Sequence, residues 1–282
     1  MRLDAFPFVF GAAPRDCAAP ALRIQRLPLP AALAGCIREI AVAYNRARTL
    51  DAAPTTGALL ALRLSGEVSA SGVPVPALSV TGLQTRARSY EYTGPTLTWL
   101  VRLTPQGSRC LGVPPRSLTD TIVCAADLPA GPALVALHQQ LLATHDSAAA
   151  LAALEGAFRA LPFEPDPLVE RALALLKAAP SRIATLAARL GVSERQLERR
   201  FVAAVGVSPK RFASLLRFER ALPVLDHRAG LASVAQACGY YDQPHLSREI
   251  KGLTGNTPAR WQREVARSLT EVAMSDSYKP PS

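Results

Sequence analysis

Two seven-residue strings, GVSPKRF (residues 206–212) and GNTPARW (residues 255–261), share one grammar: Gly, any residue, a hydroxyl residue, Pro, two residues, an aromatic. They close two longer blocks that also align, IATLAARLGVSERQLERRFVAAVGVSPKRF (183–212) and LASVAQACGYYDQPHLSREIKGLTGNTPARW (231–261). Ala187 and Ala235 each stand four residues before a glycine, Gly191 and Gly239. An alanine there lets two helices cross closely. The glycine ends the first helix, where a positive φ costs a residue without Cβ least. A new helix then starts at a capping residue, Ser193 or Asp242, and Gln196 can complete a capping box with Ser193. Leu197 with Phe201, and Leu246 with Ile250, are four apart and face a core. Gly206 and Gly255 end that helix. Ser208 or Thr257 caps the next, with Pro209 or Pro258 at its first position. Phe212 and Trp261 are expected to fold back as aromatic anchors.

Helix, tight turn, helix at this spacing is the pattern that sets its second helix into the major groove of DNA. The bland reading is a helical hairpin that binds nothing. Two copies with matched caps on a basic background argue against it. The net charge is +10, and residues 166–282 carry 18 Lys and Arg against 11 Asp and Glu. Such an excess suits a polyanion. The connector SPKRFASLLRFERALPVLDH (208–227) reads as an amphipathic linker helix with a basic face of Lys210, Arg211, Arg217 and Arg220. As one helix of about 19 residues it would span roughly 28 Å, close to the ~34 Å between successive major-groove faces. Pro223 predicts a kink or an early stop.

The first 127 residues have a different grain. GALLALRLSG (57–66), PALSVTGLQ (76–84), ARSYEYT (87–93) and TLTWLVRLT (96–104) are short runs bounded by Gly and Pro and read as strands. From residue 131 two Ala- and Leu-rich segments read as helices. PFEPDP (162–167) holds three prolines in six residues, so a boundary is placed there. Asp166 then caps a helix with Pro167 at its first position. The expected fold class is α+β with two domains. Residues 1–161 form a β-rich N-terminal effector-binding or dimerisation domain with following helices. Residues 166–266 form an all-α DNA-binding domain of two helix-turn-helix units joined by a linker helix, and 267–282 are a tail.

No run of about 18 apolar residues occurs, so no membrane span is expected. The start, MRLDAFPFVFGAAP, has only a short apolar stretch and is not read as a secretion signal. Five cysteines, at 17, 36, 110, 124 and 238, make an odd count without a C-x-x-C pair. Reduced thiols in a cytoplasm fit this better than a disulfide framework or a zinc site. Cys36, Cys110 or Cys124 could sense redox state or alkylation, though buried inert thiols are commoner. There is no G-x-S-x-G, no H-E-x-x-H and no phosphate-binding Gly-rich loop, so no enzyme is expected. Of the four histidines, His138 and His145 are seven apart and His227 stands alone. No metal or other cofactor is expected.

The stretches ASVAQACGYYDQPHLSREIKGLTGNTPARW and LAARLGVSERQLERRF resemble the two helix-turn-helix units of the AraC/XylS family of bacterial transcription regulators, over roughly residues 166–265. Leu246 and Ile250 stand where that family often has Phe. LVRLTPQGSRCLGVPPRSLTDTIV (100–123) resembles the end of a sensory domain found in a subset of those regulators. The resemblance implies a sequence-specific regulator, an activator contacting RNA polymerase, with an unidentified small-molecule effector and a possible homodimer. The alternative is a protein-interaction module, or a redox or alkylation sensor, that keeps the helical fold.

The matching base-reading positions are Arg195, Gln196 and Arg199 in the first unit, and Gln243, His245, Ser247 and Arg248 in the second. Chemistry agrees, since Arg grips guanine bidentately and Gln pairs with adenine. Glu194 and Glu198 are expected to tune the helix start or pair with arginines, and Arg200 to make an intramolecular pair or pack against the N-terminal domain. Lys210, Arg211, Lys251 and Arg260 suit phosphates. Tyr90 and Tyr92, and Trp99 and Val101, are each two apart on a strand and could line a small effector pocket.

Overall fold

The computed structural model describes residues 22–46, 49–144, 146–179, 181–225 and 230–260. The expectations for Cys17, His145, His227, Trp261, the chain start and the tail 267–282 lie outside the described residues.

Among the described residues, the N-terminal part holds ten strands. They are β1 (Leu22–Leu27), β2 (Ile37–Asn45), β3 (Thr49–Ala52), β4 (Leu59–Ser65), β5 (Val68–Ala70), β6 (Val73–Pro74), β7 (Leu78–Thr81), β8 (Arg88–Tyr92), β9 (Thr96–Leu103) and β10 (Ile122–Cys124). Six form one antiparallel sheet in the order β1-β2-β9-β4-β7-β10, and four form a second in the order β3-β8-β5-β6. The four expected strands are β4, β7, β8 and β9. In β8 the alternation of RSYEY is real: Arg88, Tyr90 and Tyr92 are half-buried, while Ser89 and Glu91 are exposed. In β2, Ile40, Ala41, Val42 and Ala43 are buried in succession: Ile40 and Val42 enter the core, while the short Ala41 and Ala43 side chains on the other face sit between the larger β1 and β9 residues paired with them.

A short helix α1 (Pro115–Leu118) precedes β10, and helices α2 (Gly131–Ala143) and α3 (Ser147–Ala160) follow it. Leu134, Leu137, Leu141, Leu154 and Phe158 from α2 and α3 share one core with Ile40, Leu60, Leu62 and Trp99 from the larger sheet. His138 sits on α2 with its Nε2 2.8 Å from the Arg63 carbonyl.

After an irregular stretch from Leu161 to Asp166 come α4 (Pro167–Ala178), α5 (Ile183–Arg189), α6 (Glu194–Val205), α7 (Pro209–Ala221), α8 (Leu231–Ala237) and α9 (Gln243–Thr254). The linker helix is shorter than one continuous rod. α7 stops at Ala221 and passes into a single 3-10 turn, Leu222–Val224, the early stop that Pro223 predicts. A second core gathers Phe201, Phe212, Leu215, Phe218, Val234, Leu246 and Ile250. Leu83, from the loop after β7, is buried in that same core.

Asp166 joins α4 to α6. Its carboxylate accepts the amides of Leu168 and Val169 at 2.9 and 3.2 Å, capping α4, and pairs with Arg200 of α6 at 2.6 Å. Burial pushes this carboxyl up, but the Arg200 guanidinium and the two amides together hold it below the usual range. A depressed folded value means the stabilisation is complete above the unfolded pKa, about 3.9, and drains away as pH falls through the folded one. Asp166→Ala is therefore expected to cost about 1–3 kcal/mol at pH 7. Urea denaturation curves of the two proteins should draw together as the pH falls below about 3.9.

Candidate nucleic-acid interface

Both helix-turn-helix units are built by the same local chemistry. Ala187 and Ala235 are buried at 2% and 1% exposure, where the crossing helices meet. Gly191 and Gly239 adopt φ of +69° and +78°. A Cβ on Gly191 would meet nothing within 4 Å, so conformation rather than space requires glycine there. The second helices start at their expected caps. Ser193 Oγ accepts the Gln196 amide at 3.2 Å, and an Asp242 carboxylate oxygen accepts the His245 amide at 2.7 Å. Ser208 Oγ accepts the Arg211 amide at 3.2 Å to start α7, and Phe212 then meets Phe201 edge-on with ring centroids 5.4 Å apart.

On α6, Leu197, Phe201, Ala204 and Val205 are buried, while Arg195, Gln196 and Arg199 are exposed together with Glu194 and Glu198. On α9, Leu246, Ile250 and Leu253 are buried. Gln243, Arg248 and Lys251 are exposed and Ser247 is half-buried. Arg199 and Arg248 occupy the same place: each is the sixth residue of its helix, counted from Glu194 and from Gln243. Ser247, Arg248 and Lys251 line a depression of about 310 Å³ with Leu231, Thr257, Pro258 and Ala259.

Some expected DNA residues have work inside the protein. His245 is half-buried; its Nδ1 accepts the Tyr241 amide at 3.3 Å, and its Nε2 lies 3.4 Å from Glu249. Of the basic face expected on the linker helix, only Lys210 is exposed. Arg211 donates to the Thr85 carbonyl at 2.7 Å. Arg217 pairs with Glu249 at 2.8 Å and lies over the Tyr240 ring at 5.6 Å. Arg220 donates to the Leu176 and Lys177 carbonyls at 2.9 and 2.6 Å, closing the C-terminus of α4. A linker helix packed between two units finds acceptors for its arginines on either side, which hydrophobic periodicity does not reveal. Arg200 makes the expected intramolecular pair, with Asp166. Lys251 and Arg260 are exposed, and Thr257 caps the Arg260 amide at 3.4 Å.

Glu249 carries more than its sequence suggests. It accepts from Ser214 at 2.9 Å as well as from Arg217, so one carboxylate fastens α9 to α7 and faces His245. The only sequence signal was an acid one turn after His245. Tyr241, before the cap of α9, is 93% exposed, and no sequence pattern singles it out.

The effector-pocket candidates are not gathered in one place. Trp99 and Val101 are fully buried in the core beneath α2 and α3, while Tyr90 and Tyr92 lie on the second sheet. Burial pushes the Tyr92 hydroxyl up to about 12. A second depression, of about 340 Å³, is lined by Ser71, Val73, Pro76, Arg88 and Ile122 among others, and by none of the four.

The two parts of the chain touch at named points. Glu219 of α7 accepts from Arg38 at 3.3 Å and Thr56 at 2.9 Å. The Ala87 amide donates to the Leu253 carbonyl of α9 at 2.8 Å. Thr119 donates to the Gly206 carbonyl at 3.4 Å, at the end of α6. No described helix is long and apolar enough to cross a membrane.

A family described as a helix-turn-helix domain matches residues 186–264. The chain is 30% identical to a transcriptional regulator with an AraC-type DNA-binding domain from Chromobacterium violaceum, over 36% of this chain and 93% of that one, with a TM-score of 0.33. It is 28% identical to the DNA-binding domain of AdpA, a global transcriptional factor solved with a target DNA, over 35% of this chain and 91% of that one, TM-score 0.32. Unsaturated fatty acid-bound ToxT from Vibrio cholerae is 12% identical over 79% of this chain and 94% of that one, TM-score 0.45. No curated protein matches the chain.

Proposed function

The chain belongs to the family of transcriptional regulators with AraC-type DNA-binding domains, and from that premise we propose that it reads two adjacent major-groove segments of one operator. The carrying observation is the matched exposure of Arg199 and Arg248 at the sixth position of α6 and α9. Arg195, Gln196, Gln243 and Ser247 read bases beside them, and His245 positions the start of α9 through Tyr241 and Glu249. Lys210, Lys251 and Arg260 take phosphates, with the free amides at the helix starts. Residues 166–266 are the DNA-binding domain. Residues 1–161 bind an effector or a second copy of the chain, and 267–282 are a tail. The protein works by binding rather than catalysis, in the cytoplasm with its DNA, and activates by touching RNA polymerase. Effector control is supported by the contacts from the β-rich part onto α6, α7 and α9.

Salt tests this reading. Each neutralised phosphate contributes about −0.9 to the slope of log K against log salt, so three basic contacts predict a slope of about −3 or steeper. Lys210→Gln and Lys251→Gln should each flatten it by about 1 without changing sequence preference. Fluorescence anisotropy on a duplex enriched from a random library would measure both. Affinity indifferent to salt would leave a helical module that does not grip a phosphate backbone.

A further inference from the structure

Each of the helices α6 and α9 is fastened at two points. The helical part supplies one pin for each: Asp166 holds Arg200 of α6 at 2.6 Å, and Arg217 of α7 holds Glu249 of α9 at 2.8 Å. The β-rich part supplies the other, at the far end of the helix. Thr119, just after α1, donates to the carbonyl of Gly206, the C-cap of α6, at 3.4 Å. The chains run so close there that a Cβ on Gly206 would lie 2.9 Å from the Pro115 carbonyl. The Ala87 amide donates at 2.8 Å to the carbonyl of Leu253, in the last turn of α9, where a helix leaves its carbonyls without internal partners.

These two outer pins share one frame. Ala87 ends the loop between β7 and β8, residues 82–87, and Thr119 precedes Asp120. Asp120 ties the stretches together. Its carboxylate accepts the Thr85 amide and the Thr85 hydroxyl, both at 2.6 Å. Its amide donates to the Leu83 carbonyl at 3.0 Å, and its carbonyl accepts Arg88 at 2.6 Å. It does this at a φ of +58°, a left-handed conformation that aspartate tolerates better than most residues bearing a Cβ. The loop is anchored in the helical core by Leu83, which is 4% exposed. Its Thr85 carbonyl also takes the Arg211 guanidinium of α7 at 2.7 Å.

A helix fastened at one side chain can still swing about it. Arg200 and Gly206 are six residues apart, roughly 9 Å along α6, and Glu249 and Leu253 are four apart, roughly 6 Å along α9. With both helices doubly pinned to a common frame, neither turns or slides against the other without breaking hydrogen bonds.

We infer that the loop braced by Asp120 is a spacing gauge: it fixes the separation and rotation of α6 and α9 from outside the helical domain, and so specifies how many base pairs lie between the two segments the protein reads. Asp120 and Leu83 are its positioning residues. The gauge rests on the operator-reading proposal for its meaning. One inserted base pair carries the second segment about 3.4 Å along the duplex and about 35° around it, a displacement that doubly pinned helices do not follow.

Two variants of the full chain test this. Asp120→Gly removes the carboxylate and leaves a residue at ease at a φ of +58°. Leu83→Ala withdraws the anchor; should it fold poorly, the exposed Asp120 position carries the test alone. Spin labels on unnatural residues at the exposed positions 198 and 243 read the distance from α6 to α9 by double electron–electron resonance, without DNA. The parent should give one narrow distribution and the variants a broader one. Anisotropy then compares the duplex the parent selects with versions carrying one or two extra base pairs between the segments. The parent should lose about tenfold or more per insertion, the scale of a spoiled base contact, and the variants about threefold or less. Equally narrow distributions in parent and variants overturn the brace. Broadened distributions with an unchanged spacing profile overturn the gauge. A parent that selects no sequence defeats the operator-reading proposal instead, and the distance measurement still decides the brace.

Discussion

Arg199→Ala combined with Arg248→Ala is expected to weaken operator binding by about 2–6 kcal/mol, roughly thirty-fold or more, because a bidentate base contact is worth about 1–3 kcal/mol and distant contacts add. The two side chains stand at equivalent, exposed positions on helices whose opposite faces are locked into one core. Removing them touches no buried group, so the melting temperature should hardly change. Arg200→Ala is the instructive neighbour. It has the same chemistry, one residue along, but its guanidinium is committed to Asp166. It should lower stability and leave the preference among duplex sequences as it was. Anisotropy titrations against the enriched duplex and a scrambled one separate the outcomes. A double variant that keeps its discrimination would remove both arginines from the interface.

How far the sequence reached depended on the range of the interaction. Caps and stops are decided within about four residues, and they were legible: Asp166, Ser193, Ser208 and Asp242 cap as expected, and Gly191, Gly206, Gly239 and Gly255 all take positive φ. The exposed positions of α6 and α9 followed from those limits plus helical periodicity. What failed to show was settled by distant chain. β2 has no period-two burial pattern because Ala41 and Ala43, on its outer face, are shielded by the longer side chains that β1 and β9 place beside them. Arg211 and Arg217 looked solvated because their acceptors, Thr85 and Glu249, are 126 and 32 residues away. Leu83 enters the helical core from a strand loop, and nothing in its neighbourhood marks it for that. The pocket candidates shared strand faces as expected, but Trp99 and Tyr92 belong to different sheets, a partition that local pattern does not encode.

Phe212→Ala is expected to destabilise the protein by about 3–5 kcal/mol, the range for emptying a fully buried aromatic site. Phe212 has no exposed surface and packs edge-on against Phe201, so its loss also removes an aromatic pair worth about 0.5–1.5 kcal/mol beyond area. The Ser208 cap and Pro209 fix the start of α7 three residues before Phe212, which limits how far the neighbours close over the void. Phe212→Leu keeps most of the volume and should cost less than half as much. Urea denaturation followed by far-ultraviolet circular dichroism reads the difference. Since a domain holds only about 5–15 kcal/mol in all, the alanine variant should also bind DNA poorly, for a reason opposite to that of the arginine pair. Its specific and scrambled duplexes should lose affinity together, and both should recover on cooling toward the temperature of maximum stability, whereas the arginine variant should lose specific binding alone at every temperature. An alanine variant losing under about 1 kcal/mol would mean that Phe212 is not the pin between α6 and α7.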